Sequence, residues 1–199
     1  MTASGPDLTE LIGSRICHDL ISPLGAISNG LELLSMSGDA TGPEVDLITE
    51  SVENANARLR FFRIAFGAAD QGQLIGHSDV TSVLAALNRG SRIGVEWLPH
   101  DDQDRRIVKV AFLLVQCFET AMPWGGQVRI NELGGEWSIH GTAERMQIDP
   151  ELWHQLSQPR NPPDLEPAKV QFALAPIVAA TMGRRLTVES AADSARIRF

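Results

Sequence analysis

The chain has 199 residues, of which 43% are hydrophobic and 21% charged, the proportions of a globular protein and not of a disordered one. No apolar run approaches the roughly 18 to 20 residues needed to cross a bilayer, and the opening Met1-Thr-Ala-Ser-Gly-Pro-Asp7 lacks a basic stretch followed by an apolar one, so the expected location is the cytoplasm and no membrane partner is expected. The net charge of −8 is uneven, because residues 1–71 hold four Arg, no Lys and ten acidic residues, an arrangement that excludes nucleic acid as a partner.

From residue 11 to 34, the apolar residues Ile12, Ile16, Leu20, Leu24, Ile27, Leu31 and Leu34 recur at steps of four and three, one stripe of an amphipathic helix roughly 40 Å long. Its start is expected near Asp7 or Thr9 and its end at Ser37-Gly-Asp39. After a turn containing Gly38, Gly42 and Pro43, the residues Val45, Ile48, Val52, Ala55, Leu59, Phe62 and Phe66 repeat as three heptads of a second helix. Two antiparallel helices with such wide stripes cannot bury them on each other. A second copy of the chain would complete a four-helix bundle, and a homodimer is therefore expected. The competing solution is a hairpin packed on the rest of its own chain.

A Gly- and Ala-rich link between Ala68 and Gly76 separates a first unit, residues 1–71, from a second, residues 77–199. The second unit reads as a helix at 80–87, a strand at 92–98, a polar loop at 99–104 and a helix at 105–121 with an almost wholly apolar centre. Two strands follow at 127–133 and 136–140, joined by the hairpin turn Gly134-Gly135. A short helix at 150–156, a proline-rich loop at 159–167, an apolar helix at 168–182 and strands at 186–189 and 195–199 complete the chain. The fold class expected is α+β, one sheet covered by helices on one face. Cys17 and Cys117 stand a hundred positions apart in apolar stretches, form neither a disulfide framework nor a CxxC site, and read as small core fillers. His77, His100, His140 and His154 have no metal-ligand spacing, so no metal site is expected. Trp97, Trp124, Trp137 and Trp153 all fall in the second unit, where they read as core or contact residues.

One segment of the first helix breaks the helical rules. In Arg15-Ile-Cys-His-Asp-Leu-Ile-Ser-Pro-Leu24, Pro23 sits in mid-helix, at a cost of ~3 kcal/mol. His18 follows Ile16 by two positions, about 200° around the helix, and so points away from the apolar stripe. An exposed imidazole is largely neutral near pH 7, and Asp19 beside it can hold the proton of one ring nitrogen while the other acts as nucleophile.

The string His18-Asp-Leu-Ile-Ser-Pro-Leu24 resembles the phosphoacceptor box of bacterial sensor histidine kinases, and the resemblance extends over nearly the whole chain. In that family a dimerisation and phosphotransfer hairpin precedes an ATP-binding α/β sandwich of the Bergerat (GHKL-like) type. Leu114-Val-Gln-Cys-Phe-Glu-Thr-Ala121 resembles the family's asparagine box, and Ile177-Val178, Gly183 and Leu186-Thr-Val-Glu-Ser190 look like its terminal helix, glycine and strand. The nucleotide chemistry is missing. The box asparagines align with Gln116 and Thr120, and Ser138-Ile-His-Gly-Thr-Ala143 contains no Asp for the adenine amino group. Ala168 and Val170 stand where flexible glycines should approach the phosphates, and the loop before them carries Pro159, Pro162, Pro163 and Pro167.

A kinase-type hairpin with such a degenerate sandwich is similar to the alphaproteobacterial histidine phosphotransferases. That resemblance implies that His18 carries a phosphoryl group between receiver-domain aspartates of a hybrid kinase and of downstream response regulators, and that Asp19 orients the imidazole. It also implies that Arg15 contacts the phosphoryl oxygens and that no cofactor is bound by the chain itself, Mg²⁺ being supplied by the docked receiver. Receiver contacts are expected at Ser22, Gly25 and Asn29 on the first helix, and at Asn54, Arg58 and Arg60 on the second. Two rival readings stay open: an ATP-dependent histidine kinase, and a non-catalytic scaffold or kinase inhibitor.

Overall fold

The computed structural model describes residues 7–37, 43–159 and 165–199. The turn residues Gly38, Asp39 and Gly42, and Pro162 and Pro163 of the proline-rich loop, lie outside the described residues. Two long helices open the chain, α1 (Leu8–Ser37) and α2 (Pro43–Ala65). Asp7 starts the first as expected, its carboxylate accepting the Thr9 backbone N–H at 2.8 Å. The helices approach closely at Gly30, where an added Cβ would lie 2.5 Å from Ile48 Cγ1. Pro23 is buried inside an α1 that continues past it, leaving only the Asp19 carbonyl without its usual helical donor.

Beyond α2 come β1 (Leu74–Ile75), α3 (His77–Arg89), β2 (Ile93–Trp97), β3 (Gln103–Asp104), α4 (Arg105–Ala121), β4 (Gly126–Leu133) and β5 (Glu136–Thr142). Then α5 (Pro150–Ser157), a 3-10 turn at Pro167–Lys169, α6 (Val170–Thr181), β6 (Thr187–Ser190) and β7 (Ser194–Arg198) end the chain. The α4 bounds coincide with the expectation, and Asp104 caps that helix by accepting the Arg106 backbone N–H. Gly134 and Gly135 have φ of 61° and 88°, the doubly left-handed backbone that a two-residue hairpin turn demands. Two elements were not foreseen: β1, inside the segment read as a link, and β3, inside the segment at 99–104 expected as a loop, which pair antiparallel with each other. Two-residue strands are too short to show any periodicity.

The main sheet has the order β2-β4-β5-β7-β6. It is mixed, because α4 crosses over to bring β4 parallel to β2, whereas the other pairs are antiparallel. Its strands alternate, with Ile93, Val95, Trp97, Val128, Ile130, Trp137, Ile139, Ala195 and Ile197 all buried on one face. Against them lies α4, whose run from Val110 to Phe118 is entirely buried, which accounts for a helix that is apolar all round. The core crosses the link between the two units: Phe61, Phe62, Ile64 and Ala65 at the end of α2 belong to the same cluster as the sandwich, and Phe61 stacks on Phe112 at 4.6 Å and 10°. The paired expectation for the cysteines divides. Cys117 is buried, but Cys17 is exposed, because it lies on a face of α1 that nothing in a single chain covers.

Candidate functional site

Helical spacing gathers the site. Arg15, Asp19 and Ser22 lie one turn apart along α1, and His18 stands beside Asp19 at the rim. The His18 side chain is 81% exposed and that of Asp19 12%. His18 Nδ1 lies 3.1 Å from Asp19 Oδ1, and Asp19 Oδ2 accepts Arg15 Nε–H at 2.7 Å, with Arg58 Nη1 of α2 at 4.0 Å. An ionised carboxylate can only accept, so this bonding pattern assigns the imidazole proton to Nδ1. The Nε2 lone pair is thereby left facing solvent, and the Asp19 carboxylate stands between the guanidinium groups of Arg15 and Arg58.

Below the imidazole runs a groove of about 400 Å³ between the two helices. From α1 it is lined by Ser22, Pro23 and Ala26, and from α2 by Leu47, Ser51, Asn54 and Arg58, the latter recurring at helical steps on one face. Ser22, Asn54 and Arg58 are therefore brought together with His18. Gly25 and Asn29 are exposed on α1 outside this lining, and Arg60 turns to α3, its Nη2 donating to Ser82 Oγ at 3.1 Å. Arg15 does not line the groove. Its side chain is buried and points behind the histidine into the sandwich, where Nη1 donates to the Ala168 carbonyl and, at 3.3 Å, to Gln171 Oε1. A guanidinium so placed ties Asp19 of the hairpin to the sandwich.

The sandwich closes the site from behind. Gln171 Nε2 donates to Thr120 Oγ1 at 3.2 Å and to the Ala168 carbonyl at 3.1 Å, and the Thr120 hydroxyl donates to the Gln116 carbonyl at 3.1 Å. Glu119, on the α4 turn facing the hairpin, has its carboxyl pushed up chiefly by burial; Arg58 and Arg15 pull it down and Asp19 raises it. Among the described residues, no group of three or more His, Cys, Asp or Glu could hold a metal ion, and no helix is long and apolar enough to cross a membrane.

The family model for the histidine phosphotransferase C-terminal domain matches residues 77–194. The protein phosphotransferase ChpT of Brucella abortus (strain 2308) is 32% identical over 206 residues, covering 97% of this chain and 95% of that protein. The chain belongs to the histidine phosphotransferase family. A solved bacterial phosphotransferase superposes with a TM-score of 0.80 at 31% identity, covering 100% of this chain and 98% of the other, so the resemblance extends from the family's C-terminal domain through the hairpin.

Gln171 and Glu119 are residues of this histidine phosphotransferase that sequence reasoning passed over. A signal was present for Gln171: a lone amide in the run Val170-Gln-Phe-Ala-Leu-Ala-Pro176 is a buried polar group in need of a partner. Nothing in the sequence pointed to that partner, since Arg15 is 156 residues away. Glu119 had no comparable signal, because its neighbours across the site come from a different helix pair.

Proposed function

We propose that His18 is the phosphoryl carrier of this histidine phosphotransferase, accepting phosphate from the aspartyl phosphate of one receiver domain and passing it to the aspartate of another. The observation that carries this reading is an exposed Nε2 whose partner nitrogen is held by Asp19, directly above a groove between two helices. The Nε2 lone pair attacks phosphorus in line, the bond from phosphorus to the aspartyl oxygen breaks, and the electron pair leaves on the receiver's carboxylate. Positive charge grows on the ring during attack, and the Nδ1–H bond to Asp19 stabilises it. Mg²⁺ arrives with the receiver, where it screens the phosphoryl oxygens. Reversing the same step discharges the histidine to a second receiver.

The partners of this reading are a hybrid kinase as donor, response regulators as acceptors and a second copy of this chain. Support for the second copy comes from α1 and α2, where Ile21 at 67%, Leu24 at 56% and Leu59 at 54% exposure would be costly to leave in water. A twofold dimer burying that face makes a four-helix bundle. We also infer that the sandwich is a degenerate kinase domain that does not use ATP. The Thr120 hydroxyl, at the asparagine-box position, is bonded on both sides to protein groups, and the segment 138–143 offers no carboxylate.

The experiment mixes the purified protein with a receiver domain phosphorylated at its aspartate. Phosphate should move to the wild-type chain in an acid-labile, alkali-stable form and should not move to His18→Ala. Transfer that survives the substitution sinks the assignment, and no transfer to wild type favours the scaffold reading. Labelling of His18 by ATP and Mg²⁺ alone would establish the kinase reading instead.

A further inference from the structure

Position 171 carries an amide where packing alone asks for a hydrocarbon. Gln171 is fully buried in α6 among Val170, Phe172 and Ala175, and burying an amide is unfavourable unless every polar atom is bonded. An apolar residue of similar volume would fill the same space without that cost. The amide is instead held in one orientation: Nε2 points to Thr120 Oγ1 and the Ala168 carbonyl, which leaves Oε1 facing the guanidinium of Arg15. Arg15 in turn is 9% exposed, and burying a guanidinium is costly unless its N–H groups meet acceptors. It finds them in Asp19, the Ala168 carbonyl and Gln171. The chain of contacts therefore runs without a break from the sandwich core through Gln171, Arg15 and Asp19 to the imidazole of His18.

We propose that Gln171 is a positioning residue for phosphotransfer, clamping Arg15 so that Asp19 presents His18 as the Nδ1–H tautomer with Nε2 outward. The inference rests on His18 being the phosphoacceptor, and it gives the sandwich a task that needs no nucleotide: it is the rear support of a histidine lying on another unit of the chain. Without the clamp, the Arg15 guanidinium loses an acceptor and can rotate. Asp19 is then free to swing toward Arg58, and the imidazole loses the partner that selects its tautomer.

The test uses the full chain with Gln171→Met, which keeps volume and removes the acceptor. Nitrogen-15 NMR of the His18 imidazole reads the tautomer, and transfer from a phosphorylated receiver reads the chemistry separately from receiver affinity. The Nε2–H population should rise, and the transfer rate within the complex should fall between about 10-fold and 100-fold, with affinity unchanged. Gln171→Glu, which keeps an acceptor for Arg15, should restore the Nδ1–H tautomer and most of the rate. A folded Gln171→Met protein with wild-type tautomer and rate overturns the proposal, as does slow transfer with an unshifted tautomer, which would mark a purely structural role. If Gln171→Met does not fold, Arg15→Lys takes its place, since an ammonium can pair with Asp19 but cannot span to Gln171; an unshifted tautomer in that protein is equally fatal. The failure of His18→Ala to abolish transfer would refute the phosphoacceptor reading, whereas the NMR result on His18 reports on the clamp alone.

Discussion

Truncating Phe61 to alanine tests whether hairpin and sandwich are one cooperative body. Phe61 is 2% exposed, stacks on Phe112 at 4.6 Å and meets Phe62 edge-on at 6.1 Å. Removing a buried phenyl costs ~3–5 kcal/mol through lost transfer and the cavity left behind, of which ~0.5–1.5 kcal/mol belongs to the stacked pair. For a chain of this size each kcal/mol moves Tm by about 2–4 °C, so Phe61→Ala should lower it by roughly 6–20 °C. Differential scanning calorimetry at fixed protein concentration is the assay, because the proposed dimer would make Tm depend on concentration. A single transition should move as a whole, and a cycle with Phe112→Leu should give a coupling of ~0.5–1.5 kcal/mol. Two transitions, with the upper one where wild type melts, would refute the shared core.

Substitutions in the sheet and on the hairpin have equally definite outcomes. Gly141→Ala should lower the urea midpoint by an equivalent of ~1–3 kcal/mol, because its Cβ would run into the buried Phe118 ring, which Trp153 backs edge-on at 5.3 Å. His140, paired across the sheet with Arg129 and Arg196 and close to Glu189, has its pKa held below the usual 6.5 by burial, then by Arg196 and Arg129. The unfolded chain therefore takes up a proton first, stability present above about pH 6.5 is lost as pH falls toward the folded value, and denaturation midpoints of His140→Gln should decline less between pH 7.5 and 5. The proposed dimer predicts that the wild-type chain sediments as two copies and that Ile21→Glu combined with Leu24→Glu sediments as one; a variant that remains dimeric removes this face from the interface.

How much of this was legible in the sequence depends on the range of the signal. Apolar steps of three and four located both hairpin helices, the uninterrupted apolar run located α4, and Gly134-Gly135 located the β4–β5 turn, because periodicity and left-handed glycines act within a few residues. The pairing of β1 with β3 left no trace, since two residues cannot display a period. Cys17 looked apolar by its neighbours, yet it lies on the uncovered side of α1, and which side of a helix is covered is decided by what packs there.

The sequence alone determined the local chemistry: an imidazole turned off the apolar stripe, a carboxylate next to it, and a proline-marked helix long enough to carry both, all settled by helical geometry over ten residues. Only the tertiary structure decided the direction of Arg15 and the purpose of Gln171. Side chains 156 positions apart meet because α6 packs behind α1, and a buried guanidinium takes whichever acceptors the fold brings within hydrogen-bond reach.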